Sequence, residues 1–302
     1  MSLLVVGSIA FDTIETESGR IEKALGGSAV HFSSSSSFFS QTRLVGVVGE
    51  DFDLSLLDFL KERGTDLGGI ETQPGKTFHW SGKYHTNMNE RDTLVTELNV
   101  FENFNPNIPE TFKESEFIFL ANIDPSLQLN VLEQVKNPSF TALDTMNFWI
   151  EGSRPVLMEV LKKVDAVILN DTEAQQFSEE YNIAKAAKFI VEHGPRIVVI
   201  KKGEHGSMLY YDGEFFVLPA FVLENVFDPT GAGDSFAGGF VGFLAKQQKI
   251  TRDTLRSAMA YGTCVASFCC EEFGVEKLAK LDKKEISNRF DEFRKIVEFP
   301  KA

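Results

Sequence analysis

The stretch Asp228-Pro229-Thr230-Gly231-Ala232-Gly233-Asp234-Ser235-Phe236-Ala237-Gly238-Gly239-Phe240 combines residue types that suit one kind of chemistry. Small residues let main-chain N–H groups approach an anion closely. Apolar residues recur at helical spacing from Ser235 to Leu244, which predicts a helix starting directly behind the loop. The partial positive charge of that helix N-terminus makes phosphate the natural guest. Asp234 is the exception, because a carboxylate beside a phosphate repels it unless its task is to take a proton there. An anion cradle beside a carboxylate base describes phosphoryl transfer to a hydroxyl. Two other phosphate loops are excluded: no Gly-Lys-Ser/Thr follows, and Phe236 stands where a dinucleotide fingerprint has its third glycine.

Further constellations lie upstream. In Gly7-Ser8-Ile9-Ala10-Phe11-Asp12 a glycine at a strand end opens space for a ligand, and Asp12 can accept hydrogen bonds from two hydroxyls at once. Gly26-Gly27-Ser28-Ala29 opens a helix with a backbone free of side chains, and His31 follows one turn later. Asn170-Asp171-Thr172-Glu173 has the form of a simple helix-capping device, a carboxylate in the first helical turn.

Most of the chain must exist to position these residues. Buried strands are predicted at 3–6, 42–48, 117–120, 140–143, 166–169 and 197–201, separated by helical segments at 29–39, 54–63, 126–134, 154–162 and 184–192. Asp124-Pro125 is a helix entry with Asp as N-cap and Pro at the first helical position. Residues 251–270 form one long helix, and the charged tail after Lys277 a final surface helix. The five serines Ser33–Ser37 are expected in a small-residue helix packed closely on the sheet. Such alternation predicts an α/β fold, a Rossmann-like three-layer α/β/α domain with a mostly parallel sheet. Residues 11–24 and 77–100 break the pattern with polar period-two alternation, placing Phe78, Trp80 and Tyr84 on one face and His79, Ser81 and Lys83 on the other. A small separate β lid fits them, and an ordinary edge hairpin would show the same alternation. The division is 1–10, 26–75 and 101–302 for the α/β domain, with 11–25 and 76–100 as lid.

The signature Asp228–Asp234, followed by Phe236 and Gly239, resembles that of the ribokinase-like, or phosphofructokinase-B-type (PfkB), carbohydrate kinases, with Pro229 replacing a threonine. The resemblance runs in order along almost the whole chain, and it implies that fold, the lid, and ATP with Mg2+ as cofactors. By resemblance, Asp234 is the base, and Gly231, Ala232 and Gly233 form the anion hole. Asp12, Gly26, Gly27 and His31 meet the acceptor, His31 replacing the family's usual asparagine; a packed helix residue is the alternative there. Gly46-Val47-Val48-Gly49-Glu50-Asp51 is similar to a family turn in which Gly49 approaches the substrate and Asp51 is structural. Asn170 and Glu173 match the N-x-x-E motif, with Glu173 holding Mg2+ through water. Ile200-Lys201-Lys202-Gly203-Glu204-His205-Gly206 is similar to the nucleotide segment, with Lys202, Gly203, Gly206 and also Thr230 on the nucleotide, and Phe273-Gly274-Val275 lining an adenine slot. Asp228 matches a residue that in many relatives helps bind a monovalent cation, K+. Asn122 and Asn147 are further pocket candidates.

A sugar-type acceptor comes first. A nucleoside is the alternative, since the aromatic face of Phe78, Trp80 and Tyr84 can stack on a base. A non-catalytic sugar or nucleotide sensor on the same scaffold is the competing class. With 30 Lys and Arg against 44 Asp and Glu, the net charge of −14 argues against nucleic acid or an anionic membrane as partner. No basic leader or apolar run suggests a signal peptide or a membrane helix, and Cys264, Cys269 and Cys270 suggest no disulfide framework, so a reducing cytoplasm is expected. A homodimer through the lid strands would cover their exposed edges.

Overall fold

The computed structural model describes residues 2–300. The strands are β1 (Ser2–Val6), β2 (Ala10–Thr16), β3 (Gly19–Gly26), β4 (Gln41–Gly49), β5 (Asp66–Gln73), β6 (Phe78–Tyr84), β7 (Arg91–Glu97), β8 (Phe117–Leu120), β9 (Phe140–Asp144), β10 (Ala166–Asn170), β11 (Ile197–Lys201), β12 (Ser207–Tyr211) and β13 (Glu214–Leu218). Nine of them form one sheet in the order β13-β12-β11-β10-β9-β8-β1-β4-β5, in which only β12 runs against the rest. The remaining four form a second sheet, β3-β2-β6-β7.

Each central strand is buried on both faces, so its residues divide by parity between two cores. Leu3 and Val5 face one core with Phe32, Phe236 and Phe240, while Leu4 and Val6 face the other with Val131, Leu157 and Ile190. The first layer holds α1 (Ser28–Ser36), α8 (Ala232–Gln247) and α9 (Arg252–Cys269), with α2 (Asp58–Glu62) at its margin and α10 (Glu276–Lys280) and α11 (Lys283–Val297) outside α9. The second holds α3 (Pro125–Gln134), α4 (Asn147–Gly152), α5 (Arg154–Leu161), α6 (Asp171–Ser178) and α7 (Ile183–Val191). Asp124 caps α3 by accepting from the Ser126 N–H at 2.7 Å, with Pro125 at the first helical position.

The serine run behaves as its composition suggests. Ser33–Ser36 are fully buried in α1, which packs against α8. A Cβ at Gly238 would stand 2.3 Å from the Phe32 carbonyl, and one at Gly242 2.9 Å from Ser36 Cα. Serines on one helix and glycines on the other therefore set the approach of α8, and with it the loop that precedes α8.

From β1 the chain goes to β4 and β5 on one side, then returns to β8 on the other side of β1. The crevice at the carboxyl ends of β1 and β8 is thus a topological switch point, where open α/β sheets take their ligands. The four-stranded sheet departs from this edge, since β2 begins four residues after β1 ends. Its β7 is an exposed edge bearing Leu94 and Val95.

Candidate active site

Five carboxylates and one lysine converge at the carboxyl ends of the strands. Gly231 (φ +73°) turns the chain into α8 and puts Asp234 in the first helical turn. Its N–H, together with those of Gly233 and Asp234, has no protein acceptor among the described residues, whereas the Ala232 N–H already donates to the Pro229 carbonyl at 3.1 Å. The N–H groups left free to meet an anion at this turn are therefore those of Gly231, Gly233 and Asp234, whereas that of Ala232, expected among them, is already engaged.

Lys201, at the end of β11, was missed. Its Nζ lies 3.3 Å from Asp144 Oδ2, and a Cβ on Gly233 would stand 2.9 Å from it. It is thus the lysine beside the phosphate loop. The expected contact through Lys202 is corrected: Lys202 flanks the turn, donates its N–H to the Gly206 carbonyl and lies outside the cavity wall. Strand parity is the reason. Lys201 shares the face of Ile197 and Val199, which pack toward α8, and Asp144 likewise shares the face of Phe140 and Ala142.

Asn170 and Glu173 form a reciprocal capping box at the start of α6, each side chain accepting the other's N–H at 2.8 Å. The capping role does not exhaust Glu173, whose second oxygen, Oε1, has no protein partner among the described residues. Burial raises its carboxyl to about 7, with a smaller push from Asp144 that Lys201 and Arg91 oppose. Burial likewise raises Asp234 to about 8, with Asp144 adding to it and Lys201 opposing. Asp12 is raised to about 7 by burial and then by Asp228, against the Gly27 N–H. Gly26 makes room for Asp12, since a Cβ there would fall 1.9 Å from Asp12 Oδ2, whereas a Cβ on Gly27 would stand 2.5 Å from the Ser8 carbonyl.

These raised groups set the pH dependence of stability in the ligand-free protein. A carboxyl favoured neutral in the fold contributes stability that is complete below the unfolded carboxyl range and is lost as pH rises through its folded value. His31 acts oppositely, as burial lowers it to about 4, and its contribution is complete above the unfolded histidine value. Between pH about 6.5 and about 8 the losses from Asp12, Glu173 and Asp234 outweigh the last of the gain from His31, so Tm should fall across that window. Asp12→Asn should flatten the fall in calorimetry, and a Tm that rises or stays level in the wild type would contradict it.

Several expected ligand contacts have other partners. His31 is buried behind the phosphate loop, where a Cβ on Gly231 would stand 2.2 Å from its ring, and Nδ1 lies 3.8 Å from Cys269 Sγ. Its place is under the loop as a packing residue, with Nε2 buried and unpartnered. Gly49 approaches main chain, not an open pocket: a Cβ would meet the Gly75 carbonyl at 2.4 Å. Asp51 is structural as expected, accepting from the Thr77 N–H and hydroxyl at 2.7 Å. Asp228 accepts from the N–H groups of Thr230 (2.8 Å) and Gly274 (2.9 Å). Each carboxylate oxygen thus holds the loop in shape through one main-chain N–H. Gly274 is thereby a partner of that carboxylate, and residues 273–275 lie outside the cavity wall, contrary to the expected adenine slot. Asn122 accepts from the Trp149 indole N–H at 2.9 Å and steadies α4.

Beside the phosphate loop opens a cavity of about 850 Å³. Its walls include Lys201, Gly203, Gly206, Ala220–Leu223, Gly233, Phe236 and Ala266. Thr230 stands at the loop itself, its hydroxyl donating to the Tyr84 hydroxyl at 3.0 Å. An apolar slot ending at a helix N-terminus and a lysine suits a nucleotide with its phosphates directed at the loop. Among the described residues no helix is long and apolar enough to cross a membrane.

The model of the pfkB family carbohydrate kinases matches residues 1–280. A cytidine kinase from Thermococcus kodakarensis is 32% identical over 247 residues, covering 80% of this chain and 87% of that protein. The nucleoside kinase of Methanocaldococcus jannaschii superimposes with a TM-score of 0.77 at 20% identity, over 96% of this chain and 98% of that one. A putative ribokinase II from E. coli in complex with ATP and Mg2+ also gives 0.77, at 17% identity over 96% and 99% of the two chains.

Proposed function

This chain belongs to the pfkB family of carbohydrate kinases and is a phosphotransferase acting on a hydroxyl group, and on that premise we propose that it transfers the γ-phosphate of ATP to the primary hydroxyl of a nucleoside. The observation that carries the nucleoside is the 32% identity, over most of both chains, to a cytidine kinase. It reverses the order expected from sequence, where a sugar stood first. The pocket is compatible with an uncharged acceptor. Asp12, Asp144, Glu173, Asp228 and Asp234 crowd the crevice, and Lys201 is the cation within it, itself 3.3 Å from Asp144. An acceptor already carrying a phosphate would add charge to an acidic site.

In this proposal Asp12 accepts hydrogen bonds from ribose hydroxyls, and Asp234 takes the proton of the attacking hydroxyl. The N–H groups of Gly231, Gly233 and Asp234, with Lys201, stabilise charge growing on the transferred phosphoryl group. The four-stranded sheet is the lid that excludes water. Mg2+ fits as an ion that keeps its waters: Glu173 has a free oxygen in a buried crevice it shares with Asp144 and Asp234, and no three of the described carboxylates are grouped closely enough to ligate an ion directly. Glu173 would hold the ion through water, and the ion would neutralise phosphate charge.

The test ranks kcat/KM for ADP formation across nucleosides, free sugars and sugar phosphates with Mg-ATP. At least one nucleoside should exceed ribose and fructose by about a hundredfold, since a base filling an apolar site adds roughly 3 kcal/mol of binding. A free sugar ranking first would return the acceptor to that class. Ligand-dependent stabilisation without turnover would favour a sensor.

A further inference from the structure

We propose that the turn joining β6 and β7 belongs to the donor side of the site, with Asn89 as its latch and Arg91 as a cation for the phosphates of the nucleotide. A lid that served the acceptor alone would have no reason to reach the donor cavity. Here Thr86, Asn87, Met88 and Asn89 line it together with Ala220–Leu223 and Ala266. Asn89 lies so close to the Gly203 turn that a Cβ on Gly203 would stand 2.0 Å from Asn89 Oδ1.

The turn is built to hold that position. The His85 N–H donates to the Glu90 carbonyl at 3.1 Å, and Asn87 Oδ1 accepts from the Asn89 N–H at 3.2 Å. The Thr86 hydroxyl donates to Glu17 at 2.6 Å and ties the turn to the neighbouring hairpin. At its base, Tyr84 is buried with its hydroxyl on Thr230, so the hairpin is joined directly to the phosphate loop.

Arg91 pairs in register with Tyr84, and its guanidinium lies 5.7 Å from the Trp80 ring centroid. Its neighbours Lys83 and His85 are engaged with Glu15 (2.6 Å) and Asp92 (3.2 Å), whereas Arg91 has no carboxylate partner among the described residues. It stands at the rim and not in the cavity wall, but as the cross-strand partner of Tyr84 it sits at the register position whose tyrosine hydroxyl meets Thr230 of the loop before α8, and its charge also favours the ionised form of Glu173. A triphosphate brings several negative charges into a crevice whose own cation, Lys201, sits among carboxylates. A guanidinium entering from the lid supplies the missing charge, and its planar fork matches phosphate oxygens. Closure of the lid is then favoured by the nucleotide itself.

The proposal rests on ATP being the donor, and calorimetry separates the two claims. For Arg91→Ala, the Kd of Mg-ATP without acceptor should rise about tenfold, while that of the first-ranked nucleoside acceptor without ATP stays unchanged. Arg91→Lys should recover part of the loss by keeping the charge. Asn89→Ala should weaken Mg-ATP and leave the KM of the acceptor at saturating ATP unaltered. Wild-type affinity for Mg-ATP in Arg91→Ala, with a raised acceptor KM, would overturn the proposal and assign the hairpin to the acceptor. Absence of Mg-ATP binding in the wild type would overturn the donor assignment itself, and this proposal with it. Arg91 is exposed on an edge strand, so its variants should keep the wild-type Tm.

Discussion

Asp234→Asn should lower kcat about a thousandfold while binding Mg-ATP at least as tightly as the wild type. The substitution keeps the shape of the side chain and the main-chain donors of α8, so the cradle survives. On the proposed mechanism it removes the group that receives the proton and, with it, a negative charge beside the γ-phosphate, so nucleotide affinity has no reason to fall. Burial and the neighbouring carboxylates raise Asp234 to about 8 in the ligand-free protein. Because the base works deprotonated, kcat/KM should climb with pH up to about 8 in the wild type, and that limb should be absent from the residual activity of the variant. Turnover within a few-fold of wild type would remove Asp234 from the chemistry. Loss of Mg-ATP affinity in parallel with kcat would instead assign it to donor binding.

Lys201→Met should cost about a hundredfold or more in kcat, the scale of removing one preorganised donor to a transferring group. The length of the side chain is preserved and its charge is lost. Lys201 Nζ sits beside Gly233 of the phosphate loop and 3.3 Å from Asp144, and its charge opposes the upward shifts of Glu173 and Asp234. Two consequences follow from the same loss. The KM for ATP should rise, since a phosphate partner is gone. The rising limb of kcat/KM should move to higher pH, since Asp234 then sits among carboxylates with no opposing lysine. A merely structural lysine would lower Tm and leave the position of that limb unchanged, so the pH profile separates the two roles. A profile superimposable on the wild type would contradict the placement of Lys201 at the centre of the charge cluster.

Much of this was legible because the central strands and helices are locally self-consistent. The strands at 117–120 and 197–201 match their predicted bounds, and the helices that begin at Pro125 and Arg154 start within one residue of prediction. What escaped prediction lies at the edges of the sheet. Strand β5 is polar and contains two adjacent glycines, Gly68 and Gly69, so it carries little strand signal. The hairpin β12–β13 did carry one, as Asp212-Gly213, both at positive φ, is a two-residue hairpin turn that could have been read. Lys201 and Asp144 were recoverable too. Counting alternate residues back from each reaches apolar side chains that pack toward α8, whereas Lys202 falls on the opposite parity. The burial of His31 could not be read this way, because it depends on how closely the serines of α1 and the glycines of α8 let those helices meet.

Incubation with Mg-ATP and cytidine, read by phosphorus NMR, bears most directly on the proposal that this chain phosphorylates a nucleoside. The predicted product is a phosphomonoester coupled to the methylene protons of the ribose primary carbon, formed in equal amount with ADP and absent with Asp234→Asn. If cytidine proves a poor acceptor, the first-ranked nucleoside of the panel takes its place with the same expected product. ADP accompanied by inorganic phosphate alone, or phosphorylation of free sugars with no nucleoside accepted, would contradict it.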